Sequence, residues 1–413
     1  MPVPELLAPA GNLEKLKTAI LYGADAVYMG GKDYSLRAHA ANFDKEQLAQ
    51  AVRYAHDHKV KAYVTVNILA HNRDLDELPD YLLFLKKTGV DGLIIADPGI
   101  FSLARQTVAG LAVHLSTQAN VTNYRAARFW QEQGVKRLNV ARELSLAEIT
   151  TLREKTGLEL EVFVHGALCI SYSGRCMLSY YLTGRNANQG DCAHPCRYSY
   201  SLFEEKRPGQ SFPVEENDRG TYIFNSKDLC LLPYLPQLIK SGVDSLKIEG
   251  RMKSVYYVGA VVRIYRAALD YIRENPATES LPAAFIDELA KIGSRGYTDN
   301  FFYGPPGPPD MLYDRPRIEP THVPVGIIRR GGNRPVIEIR SPLVPPASIE
   351  YLEPGREVSV YTVKAIYNEK GESLVKANPG NIVSLETTPL PVNWREHGLL
   401  RMQVKKAMDR TFI

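Results

Sequence analysis

Residues 78–97, LPDYLLFLKKTGVDGLIIAD, contain the pattern that decides the fold. An amphipathic stretch, Leu78–Thr88, ends at Gly89, and a short aliphatic run, Gly92–Asp97, follows it. Glycine is favoured just beyond the end of a helix, and a short, nearly continuous apolar run is typical of a parallel strand buried on both faces. The stretch is therefore predicted to form a helix, a tight turn and a buried strand.

This helix–glycine–strand unit recurs along the first 270 residues. Seven strands are predicted before a cysteine-rich segment: Glu5–Pro9, Ala26–Met29, Lys61–Asn67, Gly92–Asp97, Val113–Gln118, Arg137–Arg142 and Leu158–His165. After that segment we predict a helix over Leu229–Lys240, an eighth strand, Asp244–Glu249, and a final helix, Val255–Ile272. Eight alternating strands and helices favour an α/β fold, a TIM-type (β/α)8 barrel. A doubly wound open sheet is the alternative, but the first strands lack a G-x-G-x-x-G motif.

Changes in composition along the 413 residues predict two domains. Residues 1–300 are predicted to form the barrel-like catalytic domain, in which 166–228 are a Cys-rich insertion with a hairpin. Residues 301–320 begin with FFYGPPGPP, and their Pro and Gly content predicts a linker. From residue 321 to 413, short β-type runs alternate with turns, which predicts a small all-β barrel.

The composition is that of a soluble globular protein, with 45% hydrophobic and 23% charged residues. No apolar run reaches the ~18 residues of a membrane span, and the N-terminus lacks a signal-peptide pattern, so we expect a cytoplasmic protein that does not bind membranes. The net charge is +4, and the excess lies after residue 320. It suits an acidic partner such as RNA, contacted by Arg329 and Arg330, although a random scatter of surface charge explains it equally well.

Five cysteines lie within one short segment: Cys169, Cys176, Cys192, Cys196 and Cys230. Their odd number, without a secretion signal, argues against a disulfide framework. Clustered thiolates select soft metals, and the wide Cys169–Cys176 spacing fits an iron–sulfur site better than a zinc knuckle. Zinc, buried structural cysteines, and a nucleophilic Cys169 paired with His165 or His194 remain alternatives.

The ends of the predicted strands supply candidate active-site residues, because barrel enzymes place their sites there. Arg142 and Arg251 suit a dicarboxylate, since guanidinium groups bind carboxylates bidentately, and with Asn67 and Gln118 they are the predicted substrate-binding residues. His165, as a proton donor, and Glu249 are the predicted catalytic residues. A salt bridge of either arginine with Glu143 or Glu249, and a purely structural His165, are the alternatives.

Several long motifs resemble peptidase family U-32, the collagenase-like peptidases. They are Leu6–Gly11 (LLAPAG), Arg142–Ser145 (RELS), Glu161–Ser179 (EVFVHGALCISYSGRCMLS), Gly190–Tyr198 (GDCAHPCRY), Gly220–Cys230 (GTYIFNSKDLC), Lys247–Lys253 (KIEGRMK) and His397–Arg401 (HGLLR). The resemblance covers nearly the whole chain. Members of this family were named for collagen degradation, while others hydroxylate a wobble uridine in tRNA, a cytidine in ribosomal RNA, or the ubiquinone ring without oxygen.

The resemblance also implies a cofactor and a co-substrate. Some members carry a 4Fe–4S cluster, and the positions that match its ligands are Cys169, Cys176, Cys192 and Cys230, with Cys196 as a fifth candidate that could replace one of them. Length and the single C-terminal β domain are most similar to the prephenate-dependent tRNA hydroxylation members. The chain is thus expected to be an RNA hydroxylase that converts wobble uridine to 5-hydroxyuridine, with tRNA as partner and prephenate as a small carboxylate co-substrate.

Proteolysis, and hydroxylation of ribosomal RNA or a quinone, are the alternative functions. The sequence contains neither an H-E-x-x-H nor a G-x-S-x-G motif, and clustered cysteines suit redox chemistry better than peptide hydrolysis. The oligomeric state is left open, a homo-oligomer included.

Overall fold

The structure is a computed structural model that describes most of the chain. The described residues are 3–35, 42–168, 176–187, 191–195, 202–203, 211–212, 215–217, 220–222, 227–304, 306, 318–332, 334–355, 357–392 and 394–404. Two of the predicted metal-binding candidates, Cys169 and Cys196, lie outside these ranges, as does most of the predicted linker 301–320.

Seven parallel strands follow one another around a barrel. They are β1 Glu5–Pro9, β2 Ala26–Gly30, β3 Lys61–Val66, β4 Gly92–Ile95, β5 Val113–Leu115, β6 Arg137–Asn139 and β7 Glu159–Gly166. Each strand pairs in parallel with the next. The helices between them are α1 Leu13–Leu21, α2 Lys45–Asp57, α3 Asn72–Leu75, α4 Leu78–Thr88, α5 Pro98–Thr107, α6 Tyr124–Glu132 and α7 Leu146–Lys155.

Several of these helices begin at side chains that cap them. The side chains of Asp44, before α2, and Ser145, before α7, each accept a hydrogen bond from the backbone N–H three residues later. The side chains of Gln47 and Glu148 in turn accept from the backbone N–H of Asp44 and Ser145, so that the N-termini of both helices form capping boxes. Such a cap stabilises a helix by about 1 kcal/mol. Local sequence therefore fixes where these helices start.

The chain leaves the barrel after β7 through the cysteine insertion. Its described elements are α8 Leu178–Thr183, β8 Leu202–Phe203, β9 Ser211–Phe212, β10 Glu215–Asn217 and β11 Gly220–Tyr222. β8 pairs with β9, and β10 pairs with β11, both antiparallel. The insertion thus contains two short ladders where the sequence predicted a single hairpin.

The insertion ends in strand β12, Asp228–Cys230, which runs antiparallel to β7. The prediction of a helix from Leu229 was wrong at this end, because Leu229 and Cys230 pair with Gly166 and His165 and are buried there. The helix that follows, α9 Leu235–Lys240, begins only after a 3-10 turn over Leu232–Tyr234.

Strand β13, Ser245–Ile248, closes the barrel because it pairs in parallel with both β1 and β7. The TIM-type barrel predicted from the sequence is therefore confirmed. Three elements follow: α10 Val255–Glu274, α11 Ala283–Ala290, and β14 Tyr297–Thr298, which pairs with β12. None of the helices in the described ranges is long and apolar enough to cross a membrane.

The C-terminal part forms an antiparallel barrel, which confirms the all-β prediction. Its strands are β15 His322–Arg330, β16 Val336–Ile339, β17 Ala347–Leu352, β18 Val358–Asn368, β19 Ser373–Leu374, β20 Ile382–Thr388 and β21 Leu399–Gln403. Six of them close in the order β17, β21, β15, β16, β20 and β18, with β18 pairing back to β17, while β19 extends β18. Apolar side chains that include Ile337, Tyr351 and Trp394 fill its core.

Tyr22, just after α1, joins the two barrels. Its hydroxyl donates to the carbonyl of Leu352 at 2.7 Å and accepts from the amide of Leu399 at 2.9 Å. Gly259 of α10 lies at the same contact, where a Cβ atom would come within 2.6 Å of Leu399 and 2.7 Å of Thr18. A larger residue at position 259 would force the side chains of Leu399 and Thr18 to move.

Glu288 of α11 is the centre of an ion cluster at the same contact. Its carboxylate lies 2.6 Å from Arg263 of α10 and 2.8 Å from Arg401 of β21, and Arg401 also binds Glu350 at 2.6 Å. Both arginines are buried. Burial alone would raise the pKa of Glu288, but the hydrogen bond and charge of Arg401 and the charge of Arg263 lower that pKa to about 2.

Arg329 belongs to this contact as well. It pairs with Glu14 of α1 at 2.5 Å and with Glu338 of β16. Its guanidinium is thus engaged between the two barrels, while Arg330 is exposed. The hypothesis that Arg329 contacts RNA finds no support in this position.

We expect Glu288→Gln to lower the free energy of unfolding by about 3 kcal/mol, because the neutral amide no longer compensates two buried arginines. The pKa of Glu288 in the folded chain, about 2, lies below the ~4.3 of an unfolded chain. Its contribution is therefore complete above about pH 5 and is lost as the pH falls toward 2. Urea unfolding at pH 7 and pH 3.5 should show a smaller difference between wild type and variant at the lower pH.

Glu279→Gln is the matched control, because this side chain is 87% exposed and its lysine partner lies at 3.8 Å. It should change stability by no more than a few tenths of a kcal/mol. Equal losses at the two positions, or a Glu288 effect that persists at low pH, would contradict the assignment.

Candidate active site at the mouth of the barrel

Charged side chains fill the inside of the eight-stranded barrel. Lys247 of β13 donates to Glu161 of β7 at 2.7 Å. Arg137 of β6 lies 2.5 Å from Glu5 of β1 and 3.6 Å from Glu161, and the Tyr63 hydroxyl donates to Glu5 at 2.8 Å. Buried charges are tolerated only when they are paired, so these contacts require β1, β6, β7 and β13 to keep one register.

Lys247 forms the upper part of this network. Burial lowers the pKa of its ammonium, while the charge and hydrogen bond of Glu161 oppose that shift. The ammonium lies 4.6 Å from the ring centre of Tyr28 and 5.2 Å from that of Phe163, within the range of cation–π attraction. Lys247, Tyr28 and Phe163 therefore form a cationic and aromatic floor below the mouth.

Asn139 lies on this floor and was not predicted from the sequence. It follows Arg137 by two residues on β6, and alternation along a strand turns its side chain to the same inner face. Asn139 is 2% exposed, and its Oδ1 accepts no hydrogen bond from the described part of the chain. The signal in the sequence was a polar residue on the inward face of a short buried strand.

Arg251 follows β13 and lies across the mouth. Its guanidinium donates to Ser35 Oγ at 2.9 Å, to Thr65 Oγ1 at 3.2 Å and to Asn42 Oδ1 at 2.5 Å. A Cβ atom at Gly30 would collide with this guanidinium. The predicted substrate-binding arginine is thus held by neutral oxygens from β3 and from the loop after β2, and only 4% of it is exposed.

Asn67 and Gln118 lie together on the rim. The Asn67 side-chain amide donates to Gln118 Oε1 at 2.6 Å, and the Ser116 hydroxyl donates to the same oxygen at 3.3 Å. Gln118 lies in a 3-10 turn, Thr117–Ala119, immediately after β5. The structure therefore brings these two predicted substrate-binding residues into contact, both half-buried.

Arg142 lies on the side of the mouth next to the insertion. Its guanidinium donates to the carbonyl of Ala167 at 2.8 Å and lies 4.7 Å from the ring centre of Phe163. Its own carbonyl accepts from Asn300 at 3.0 Å. Arg142 and Lys247 thus contact the same aromatic ring, Phe163, which places both cations at the inner edge of the site.

His165 is buried on the helix side of β7. Its ring packs against Tyr257 and Tyr265 of α10 and Tyr297 of β14, and its Nδ1 lies 3.4 Å from the Tyr265 hydroxyl. Burial lowers the pKa of His165 to about 4, so the ring is neutral at neutral pH. The structure groups this predicted proton donor with Cys230, the residue opposite it on β12, and not with Asn67 and Gln118.

Glu249 joins the ends of β13 and β7 through its backbone. Its amide donates to the carbonyl of His165 at 2.8 Å, and its carbonyl accepts from the Tyr257 hydroxyl at 3.2 Å. Gly166 has a φ of 110°, and a Cβ atom there would lie 2.6 Å from the Glu249 carbonyl oxygen. This junction requires glycine at position 166, and it leaves the Glu249 carboxylate half-buried where β13 ends.

Three of the five cysteines lie within the described ranges. Cys176 and Cys192 are half-buried, and burial raises the pKa of the Cys230 thiol to about 11. Cys192 Sγ accepts the backbone N–H of His194 at 3.4 Å and lies 3.8 Å from His194 Nδ1. Hydrogen bonds from amides to sulfur are a feature of iron–sulfur sites, where they tune the potential.

The predicted metal site is only partly covered by the described residues. Among them, no three His, Cys, Asp or Glu side chains come together to hold a metal ion. Cys169 and Cys196 are outside those residues. Cys176, Cys192 and Cys230 match a soft metal in kind, but their described positions do not by themselves form a metal centre.

Comparison with known proteins gives consistent matches over most of the chain. A family model described as Peptidase family U32 matches residues 11–311. The chain is 40% identical over 387 residues to the tRNA hydroxylation protein P1 of Bacillus subtilis, which covers 93% of this chain and 92% of that protein. An uncharacterized protease of Methanocaldococcus jannaschii is 43% identical over 308 residues, covering 73% and 74%. A 23S rRNA 5-hydroxycytidine synthase of Escherichia coli is 36% identical over 303 residues, covering 72% and 45%.

We expect Arg251→Lys to loosen the loop after β2, because the single nitrogen of an ammonium cannot replace the two separate nitrogens, Nη1 and Nη2, from which the guanidinium donates. Each hydrogen bond to a charged group contributes about 1.5–3 kcal/mol, so amide hydrogen exchange in residues 30–35 and 42–44 should accelerate roughly tenfold or more. Arg53→Lys, on the exposed face of α2, is the control and should leave this exchange unchanged. Exchange that is the same in both variants would show that Arg251 does not hold the loop.

Proposed function

Because this chain belongs to peptidase family U32, we propose that it is an RNA-modifying enzyme that hydroxylates tRNA. The match to the tRNA hydroxylation protein of Bacillus subtilis carries this proposal, since it extends over nearly the whole of both chains. The chain covers only 45% of the ribosomal RNA synthase of Escherichia coli, so more than half of that enzyme has no counterpart here. These relatives favour tRNA over ribosomal RNA as the substrate.

The finer proposal is conversion of the wobble uridine to 5-hydroxyuridine, with prephenate as co-substrate. Prephenate carries two carboxylates, and two arginines follow barrel strands here: Arg142, which is half-buried, and Arg251, which is 4% exposed. Arg142 is the more accessible of the two guanidinium groups. Guanidinium groups bind carboxylates bidentately, and Arg251 is already oriented by Ser35, Thr65 and Asn42. Asn67 and Gln118 add amide groups on the rim that suit the polar edges of a substrate.

An iron–sulfur cluster held by Cys169, Cys176, Cys192 and Cys230 completes the proposal, with Cys196 as a substitute for one ligand and zinc as the alternative metal. The exchange of C5–H for C5–OH on uridine removes two electrons and adds one oxygen atom. A bound cluster would pass the electrons on one at a time, while an external oxidant would have to accept them and an external donor would have to supply the oxygen. Support comes from the thiol donor set and from the amide-to-sulfur bond at Cys192. Cys230 lies on β12 beside the end of β7, which would place one ligand directly at the barrel.

Peptide hydrolysis is the second candidate, because the Methanocaldococcus jannaschii relative is named as a protease. A Cys–His pair is one device for such chemistry, and Cys192 lies 3.8 Å from His194. The two residues are separated by a single position in one loop, and the sequence lacks the metalloprotease and serine hydrolase motifs. Hydroxylation is also the activity in the name of the Bacillus subtilis relative, which matches nearly the whole chain, whereas hydrolysis is not.

Expression of this chain in a bacterium deleted for its own tRNA hydroxylation genes should restore 5-hydroxyuridine derivatives, measured by mass spectrometry of tRNA nucleosides. Arg251→Ala should abolish the restoration, because it removes a carboxylate-binding group from the mouth. A host that cannot make prephenate should show no restoration. Folded, expressed protein that leaves tRNA unchanged but cleaves gelatin would replace hydroxylation with the peptidase alternative.

Protein purified without oxygen should be brown and absorb near ~400 nm, with iron and acid-labile sulfide present, as expected for thiolate-bound clusters. Cys176→Ala and Cys230→Ala should each remove most of the iron, because each deletes a proposed ligand. Cys196→Ala is the matched control and should retain the iron unless it substitutes for one of the four. Stoichiometric zinc without iron or sulfide after anaerobic reconstitution would overturn the cluster.

A further inference from the structure

A cleft of about 780 Å³ lies between the loop after β3 and the cysteine insertion. One side is formed by His71, Asn72 and Arg73 at the start of α3. The other side is formed by Tyr180 of α8 together with Asn186 and Asp191. Ligand sites in proteins commonly enclose about 300–1,000 Å³, so the cleft is large enough for a substantial ligand.

The cleft lies at the rim of the candidate active site. Three strands separate β3 from β7 in either direction around the barrel, so the two strands are on opposite sides of it. The insertion begins at the end of β7, yet its residues Tyr180, Gly184, Asn186 and Asp191 face the loop that follows β3. These described residues of the insertion therefore lie across the barrel from the end of β7, and the cleft opens four residues along the chain from Asn67.

Internal hydrogen bonds shape both sides of the cleft. Arg185 binds Asp191 at 2.7 Å, and the amide of Ala193 donates to Ser179 Oγ at 3.0 Å, which ties α8 to residues 191–195. On the opposite side the amide of His71 donates to Asp74 at 2.7 Å. The segments that line the cleft are thus each held in place by their own hydrogen bonds.

The exposed groups of the cleft suit a nucleotide. Tyr180 is 52% exposed, and an aromatic face of this kind is the surface on which unpaired bases stack. The side chain of Arg73 is 78% exposed, and although its Nε lies 3.7 Å from the Asp74 carboxylate, this exposure leaves its outer N–H groups accessible to a phosphate. Asn72 adds an amide, a group that hydrogen-bonds to base edges.

We propose that this cleft binds a single-stranded segment of RNA, with a base stacked on Tyr180 and a phosphate bound by Arg73. The inference rests on the proposed tRNA hydroxylation and assigns the place where RNA enters that site. Peptides are usually bound along an exposed sheet edge or in an apolar groove, whereas this cleft lies between a loop and a short helix and is lined mainly by polar side chains. Nucleotides held here would keep a neighbouring, unstacked base at the barrel mouth.

The test is binding of the full-length chain to a synthetic anticodon stem–loop with uridine at the wobble position, followed by fluorescence anisotropy. Loss of base stacking on alanine substitution corresponds to about a 5- to 150-fold rise in Kd, which is the effect expected for Tyr180→Ala. Tyr180→Phe retains the aromatic face and should bind like wild type. Phe129→Ala is the matched control, because Phe129 is 53% exposed on α6, away from the cleft.

Arg73→Ala should flatten the dependence of log Kd on log salt by about 0.7, the value for one phosphate contact on a single strand. Arg53→Ala removes an exposed charge from α2 and should leave this slope unchanged. Thermal unfolding of each variant checks that the fold is retained, as expected for exposed positions.

The outcomes separate this inference from the proposed function. If wild type restores tRNA hydroxylation in cells while Tyr180→Ala binds the stem–loop as tightly as Phe129→Ala does, the cleft inference fails alone. If wild type neither hydroxylates tRNA nor binds the stem–loop, the proposed function fails. If Tyr180→Ala weakens binding of a gelatin peptide and not of the stem–loop, the occupant is a peptide and the inference is overturned.

Discussion

The four charges enclosed by the barrel impose the constraint on which the rest of the structure depends. Glu5, Arg137, Glu161 and Lys247 come from four different strands, and an uncompensated charge among them would cost several kcal/mol. The strands must therefore reach one common register, even though the last of them follows the others by about eighty residues. The same register also fixes the positions of residues nearer the mouth, because Asn139 follows Arg137, and Glu249 follows Lys247, by two residues each.

The sequence was sufficient for the elements that are regular and locally determined. Most of the buried parallel strands are rich in apolar residues, and helices that end at glycine show a clear period, so both barrels could be predicted. β12 could not, because its residues continue into a helical pattern and become a strand only by pairing with β7. The side of β7 on which His165 lies could not be predicted either. The pairing of β7 with β13 shifts register between Lys247 and Ile248, and a shift of one residue turns the His165 side chain to the other face of the strand.

The candidate site was predictable to the extent that it lies at strand ends. Asn67, Gln118, Arg142 and Arg251 were identified because the carboxyl ends of barrel strands converge, and the structure places them around the mouth. What the sequence could not supply was the partner of each charge. Arg329 contributes to the positive excess of the C-terminal part, yet its carboxylate partners are Glu338 and, more than three hundred residues away, Glu14. Counting charges does not reveal which of them are already neutralised.

The pairing of β12 with β7 also makes the cysteine insertion a separable module. The two ends of the insertion are held together by this pairing, with Leu229 of β12 opposite Gly166 of β7. The barrel strands therefore see the same short β7–β12 connection whatever segment lies between them. Closing a loop costs only about 0.6 kcal/mol more for each doubling of its length. Segments of quite different size can therefore be exchanged at this point without disturbing the strands. A family built on this barrel can acquire new recognition surfaces over the mouth while its interior stays the same.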